Sequence, residues 1–300
     1  MRVTFGVKTT PMHVGYADIL RVWREADTVQ EIEDAWLWDH MLPLAGPKDG
    51  PVYEGWTLLS ALAAQTSRLR LGLLVTSNRI RQPAVLGKMA STVDVISGGR
   101  LVLGIGAGGT HQPAGAGGIA GENPAIAEYA AYGLTLVPPG EGIARLAETL
   151  TILRRMWSED VFDFDGRYYT LAGTRNEPKP VRTPPILVGG WGDRMLRLVA
   201  EHADIWNMPG PPHNPVEILA ERARALDARC AEIGRDPAGI TRSVQMIVDL
   251  EDTAGAVETS LELIGAGFTH LVLSLRPPYP HGVAHRLAEE IILPVRARLA

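Results

Sequence analysis

The chain has 300 residues, 46% hydrophobic and 21% charged, with a formal net charge of −5 and a sequence pI of about 5.9. This composition describes a globular protein able to bury about 75% of the surface its unfolded chain would expose, and without a Lys/Arg run it has no electrostatic footprint for nucleic acid. The single cysteine, Cys230, excludes an internal disulfide and fits a reducing cytoplasm.

The N-terminal "MRVTFGVKTTPM" alternates like a strand and lacks the apolar core of a signal peptide, so it reads as the first residues of the fold. No stretch is apolar for long enough to cross a bilayer. Eight short apolar runs follow one another: "RVTFGV", "AWLW", "LRLGLLVT", "RLVLGIG", "PPILVGG", "ADIWNM", "TRSVQMIVDL" and "THLVLSL". Helical periodicity fills most of the spaces between them. In "WTLLSALAAQTSRL", Leu58, Leu59, Leu62 and Ala63 share a face, as do Leu146, Leu150, Leu153 and Met156 in "ARLAETLTILRRMW". Eight alternations of apolar strand and helix predict one closed parallel (β/α)8 barrel domain over residues 1–300. In such a barrel the C-terminal strand ends and the loops after them form the catalytic face.

The second run ends in "WLWDHMLPL", which places Asp39 and His40 just past its strand, on that face. Strand three ends in Thr76, Ser77 and Asn78, which are expected at the mouth; Pro83 opens the next helix, and Arg79 and Arg81 read as structural or interfacial. Strand four ends in "GIGAGG", Gly104 to Gly109, matching the dinucleotide pattern G-x-G-x-x-G. The match carries little weight, because it follows the fourth strand and no helix begins close behind it. The glycines either pack a strand end closely or let a flat ring or polar tail approach bare backbone.

The rhythm then breaks. Residues 108–140, rich in Gly, Ala and Pro, predict a long, partly mobile loop over one mouth, and 161–171, "VFDFDGRYYTL", predict a hairpin turning on Asp165-Gly166. Both lie between strands four and five. Strand five ends in Gly189-Gly190 with a helix starting near Asp193, where unpaired N–H groups attract an anion; the alternative is that these residues serve only the turn and cap. His281 and His285 have i,i+4 spacing but no acid between them and no third ligand, so no metal is expected. No nucleophile elbow or phosphate-binding P-loop occurs.

These pieces, in this order, resemble the bacterial luciferase-like flavin and deazaflavin oxidoreductases. The resemblance rests on "WLWDHMLP", "LGLLVTSNRIRQPAVLGKMASTVDVISGGRLVLGIGAG", "EYAAYG", "FDGRYYTL" and "PPILVGGWGDRMLRLVAEHADIWN". It implies a (β/α)8 barrel with an insertion ahead of strand five. Members using the deazaflavin coenzyme F420 carry an Asp-His pair after strand two, which Asp39-His40 matches, and a non-proline cis peptide late in strand three, nearest to Leu74-Val75 here. Beside it, Thr76 is an expected cofactor contact. Glycine-rich segments that hold the cofactor's tail match Ala107-Gly108 and Gly189-Gly190-Trp191. Sugar-phosphate members have a glutamate where Gly109 stands and a tryptophan where Leu44 stands, so the departures argue against that substrate. The family also implies a homodimer.

The resemblance thus implies an F420-dependent oxidoreductase that moves hydride between the coenzyme and a small, neutral carbonyl, alcohol or activated alkene. Histidine's ordinary pKa of about 6.5 suits His40 to give or take the substrate's proton, with Tyr129 or water as the substitute donor and a structural, backbone-bonded histidine as the alternative. Asp39 is expected to orient His40 or meet the ring edge. Trp38, Trp191, Trp206 and Met208 are expected to line an apolar mouth, with Trp38, Trp206 and Met208 as substrate contacts. The rival readings are an FMN-dependent monooxygenase using oxygen, and a non-catalytic barrel that binds a flavin or other ligand.

Overall fold

The computed structural model describes residues 2–109 and 124–300. The strands, in chain order, are β1 (Thr4–Lys8), β2 (Asp34–Leu37), β3 (Arg70–Leu73), β4 (Thr76–Ser77), β5 (Leu103–Gly106), β6 (Phe162–Asp165), β7 (Thr170–Thr174), β8 (Ile186–Gly189), β9 (Ile205–Pro209), β10 (Thr241–Ile247) and β11 (His270–Ser274). All except β6 and β7 form one parallel sheet in the order β3-β2-β1-β11-β10-β9-β8-β5-β4. β3 and β4 are two parts of one barrel strand, interrupted at Leu74-Val75, whose peptide bond is cis. Below the interruption Leu71 bridges to Leu101, and above it Thr76 pairs with Ile105, so the ring of eight strand positions comes round on itself. The expected (β/α)8 barrel is the observed architecture.

Around it lie α1 (Tyr16–Thr28), α2 (Gly55–Ala63), α3 (Pro83–Ser97), α4 (Pro124–Ala131), α5 (Pro139–Ser158), α6 (Asp193–His202), α7 (Val216–Glu232), α8 (Thr253–Gly265), α9 (Val283–Leu287) and α10 (Leu293–Leu299). Local chemistry explains several boundaries. Glu54 caps α2 by accepting from the N–H groups of Trp56 and Thr57, and Gln82 caps α3 ahead of Pro83. α3 stops at Gly98, whose φ of 66° is left-handed. Among the described residues no helix is long and apolar enough to cross a membrane.

Strand alternation divides the core in two. Ala35 and Leu37 of β2 point to the helices, while Trp36 points into the barrel beside Leu74, Val102, Leu187, Ile205 and Val272. Trp36 requires space on the neighbouring strand: a Cβ at Gly72 would lie 2.7 Å from its ring and 2.3 Å from the Val102 carbonyl oxygen. The N-terminal end of the barrel is closed by charge. Asp34 accepts from Trp36 Nε1 at 2.6 Å, His270 Nε2 at 2.9 Å and Arg70 Nη2 at 2.8 Å. Burial raises the Asp34 pKa, but His270, Arg70 and Trp36 together outweigh it and bring it to about 2.

The insertion agrees with expectation in place and differs in detail. Residues 110–123 of the expected loop lie outside the described residues. The hairpin turns through 166–169, not on Asp165-Gly166 alone, because Asp165 pairs with Thr170 and Gly166 N donates to Tyr169 O at 2.9 Å. Glu148 of α5 fastens that turn by accepting from the N–H groups of Arg167, Tyr168 and Tyr169.

Candidate active site at the C-terminal mouth

β2 ends at Leu37, and the chain continues past the rim as Trp38, Asp39 and His40. Asp39 is buried and both its oxygens are committed: Arg81 donates to them at 2.6 and 3.0 Å, and Ser77 N donates to Oδ2 at 3.1 Å. Arg81 also reaches Glu54. Burial lowers the Arg81 pKa, but Asp39 and Glu54 outweigh it and raise the guanidinium above its ordinary range. This replaces one of the two roles expected of Asp39, that of orienting His40. Asp39 locks the ends of β2 and β4 together and does not bond to His40, because an arginine from the next loop occupies it first.

His40 is held from another side. Its Nδ1 lies 3.1 Å from Glu128 Oε2, and its ring meets Trp38 edge-on with centroids 5.3 Å apart. Glu128, on α4, also accepts from the backbone N–H groups of Met41 and Leu42. Burial would raise the Glu128 pKa; the hydrogen bond and charge of His40, with the two N–H groups, outweigh it and hold the carboxyl below its usual range. A carboxylate on Nδ1 assigns the proton there and leaves Nε2, which has no partner among the described residues, as the working nitrogen of a one-third-exposed ring. The sequence reading missed Glu128. Its one trace was an acid in the otherwise apolar run "PAIAEYAA".

The next residue, Tyr129, is fully buried; its hydroxyl lies 2.7 Å from Ser77 Oγ and accepts from Gly109 N at 2.7 Å. Burial pushes the phenol's pKa up. Tyr129 is therefore a tie between strand ends, not a ready proton donor. Thr76, expected to face the mouth, is buried behind it and accepts from Trp56 Nε1 of α2 at 3.2 Å.

Across the mouth, Leu74 packs inside the barrel and Val75 stands above it. A Cβ at Gly106 would lie 2.9 Å from one Val75 methyl, and at Gly189 3.0 Å from the other. Bare backbone on both sides thus leaves Val75 as an apolar platform, and these residues fit a flat ring. Ala107 and Gly108 continue from β5, Gly108 with φ 83°. Gly104 has only the packing role, since a Cβ there would meet the Leu73 carbonyl oxygen at 2.0 Å. After β8, Gly190 has φ 129°, and Trp191 is half-buried against the core. α6 then starts at Gly192 with no side-chain cap, leaving first-turn N–H groups for an anion.

Two of the expected mouth residues are elsewhere. Trp206 and Met208 are wholly buried in the layer between barrel and helices. On β9 the alternation sends Ile205 and Asn207 inward, Asn207 donating to Ser243 Oγ at 2.8 Å, and Trp206 and Met208 outward. Trp206 supports the site from behind, with Nε1 donating to Gly190 O at 2.7 Å. Among the described residues no cluster of metal-binding side chains occurs.

A family model described as luciferase-like monooxygenase matches residues 3–290. A phthiodiolone/phenolphthiodiolone dimycocerosates ketoreductase from Mycobacterium sp. (strain JLS) is 31% identical over 222 residues, which are 72% of this chain and 53% of that protein, so the match spans about half of the relative's length. An F420-dependent secondary alcohol dehydrogenase, solved with an F420-acetone adduct, superposes with a TM-score of 0.81 at 17% identity, covering 99% of this chain and 100% of the other. A riboflavin lyase solved with modified FMN and riboflavin superposes with a TM-score of 0.77 at 15% identity, covering 99% and 92%.

Proposed function

Since the chain belongs to the luciferase-like monooxygenase family and is an oxidoreductase, we propose that it is an F420-dependent enzyme that moves hydride between the deazaflavin and a small, neutral carbonyl or alcohol. The observation that carries this reading is His40: a histidine past the end of β2, fixed through Nδ1 by buried Glu128, with no partner for Nε2 among the described residues, at the same C-terminal mouth as a platform suited to a flat ring. A ketoreductase among the relatives and an alcohol dehydrogenase among the solved neighbours support the substrate class.

When bound, the coenzyme supplies the hydride. The chain supplies the rest. Val75, with Gly106 and Gly189, backs the ring; Ala107-Gly108, Gly189-Gly190-Trp191 and the start of α6 take the tail; His40 Nε2 exchanges the substrate's proton; and Trp38 holds the imidazole edge-on. Glu128 fixes the ring through Nδ1, so that Nε2 is the nitrogen that gives up a proton as a carbonyl is reduced.

The test is anaerobic oxidation of reduced F420 by a panel of ketones, aldehydes and enones, set against oxygen consumption with reduced FMN. Ketone-dependent oxidation without oxygen supports the reading. Oxygen uptake with FMN alone replaces it with a flavin monooxygenase.

A further inference from the structure

Lys8 closes β1. Phe5 and Val7 point to the helices, whereas a Cβ at Gly6 would lie 1.9 Å from Asp34 Oδ1 and 3.0 Å from Trp36 Nε1 inside the barrel. Alternation therefore turns Lys8 inward. Its ammonium donates to Gln245 Oε1 across the intervening β11, and Gln245 also faces inward, between outward-pointing Val244 and Met246. In register Lys8 stands beside Ser274, the last residue of β11, and Trp36, two residues before Trp38. It thus sits at the floor of the same mouth that carries Trp38 and His40.

This cation has no counter-charge among the described residues: no carboxylate pairs with it, and its one partner there is a neutral amide. The charged groups on the surrounding strands are committed elsewhere. Asp34 and Arg70 stand two residues, on the order of 7 Å, and His270 four residues, on the order of 13 Å, toward the other end, where they bond to one another. Asp39 is held by Arg81, and Arg242 of β10 points outward to Asp227. Burial pulls the Lys8 pKa down to about 8, although the residue as a whole is only half-buried. An unpaired interior ammonium is costly to keep, and packing supplies no reason for it.

We infer that Lys8 holds the oxygen of a carbonyl substrate, with Nζ donating to that oxygen while Gln245 fixes the ammonium's direction. The inference rests on the proposed hydride chemistry and narrows its substrates to ketones and aldehydes, with alcohols in reverse. With a reduced deazaflavin as the reductant, the carbonyl carbon gains a hydride as a new C–H bond and its π pair moves to oxygen. That oxygen takes the proton of the His40 imidazolium, leaving neutral imidazole. Lys8 keeps its protons and supplies the positive charge facing the developing alkoxide.

The experiment compares wild type, Lys8→Met and Lys8→Arg with reduced F420 and cyclohexanone across pH 6–10. At pH 6–7 Lys8→Met should lower kcat/KM by about 10²–10³, the usual loss for one oxyanion donor. Lys8→Arg should recover part of the rate, and its rate relative to wild type should rise as pH passes about 8, because only the wild type loses the cation there whereas the need for the His40 proton is common to both. Two readouts do not use turnover. The F420 dissociation constant of Lys8→Met should stay within a few-fold of wild type, and its Tm at pH 7 should be higher. That Tm advantage should disappear as pH rises toward the ordinary lysine range, because the wild type regains stability once Lys8 is neutral in both folded and unfolded states. Full turnover by Lys8→Met on a ketone the wild type reduces, or no rise in its Tm, overturns the assignment. A wild type that reduces no ketone at all refutes the underlying hydride reading, and the role of Lys8 with it.

Discussion

His40 and Asp39 are adjacent in sequence and separate in function. His40→Ala removes the imidazole and its bond to Glu128, which keeps the N–H groups of Met41 and Leu42, so turnover should fall by about 10²–10⁴ with F420 affinity within a few-fold, read by steady-state kinetics and fluorescence titration. Asp39→Ala strips a buried arginine of its bidentate partner. It should cost about 3–5 kcal/mol of stability in urea unfolding, whatever its effect on rate. If the two variants behaved alike, this division of roles would be wrong. The placement of His40 was legible because a polar pair just past an apolar strand has a fixed address in a barrel. Glu128 was not, being 88 residues away from the ring it holds; periodicity reports which face a residue takes, not which distant side chain it meets. Lys8 was hidden as well, since one lysine closing an apolar strand reads as a strand end reaching solvent.

At the scale of the element, α4 does more than fill the insertion. Its neighbours Glu128 and Tyr129 tie the segment after β2, the end of β4 and the glycines after β5 to one helix. The strand runs were readable from apolar composition, but the phase of β9 was misread: Asn207, the polar residue between Trp206 and Met208, marks the inward face, and it excludes both large neighbours from the mouth. The glycines after β8 need separate tests. Gly190 is required by its own backbone, with φ 129° and Met195 Cγ 2.9 Å from a would-be Cβ, so a substitution there would disturb the fold before it reported on binding. Gly192 stands in open space at the start of α6. Gly192→Asp should keep or slightly raise Tm, as aspartate is a better cap than glycine, while weakening F420 binding about two- to fivefold through repulsion of the anionic tail. Unchanged affinity would free the α6 start from any part in binding.

For the whole molecule, the two ends of the barrel divide the work, with the Asp34 charge cluster at the N-terminal end and His40, Lys8 and the glycine-flanked Val75 platform toward the other. Asp34 has its pKa depressed to about 2 in the folded state, so its contribution to stability is complete above about pH 4 and is lost as pH falls through 2. The depression corresponds to about 2 kcal/mol. Asp34→Asn should therefore flatten that part of the acid-unfolding curve, and a curve as steep as wild type would assign acid sensitivity to other carboxylates. Homodimerisation is expected from the family resemblance alone; sedimentation at micromolar concentration should show a dimer, and a monomer would contradict it. The barrel itself was legible because eight apolar runs and their helices are local patterns, whereas the committed partners of Asp39 and Asp34 arise only on closure. The central claim is that this mouth accepts a deazaflavin, and fluorescence titration of the purified protein with F420 and, separately, FMN tests it most directly. Saturable micromolar quenching of F420, with FMN bound at least about tenfold more weakly, is the predicted result; tight FMN binding with no response to F420 would contradict it.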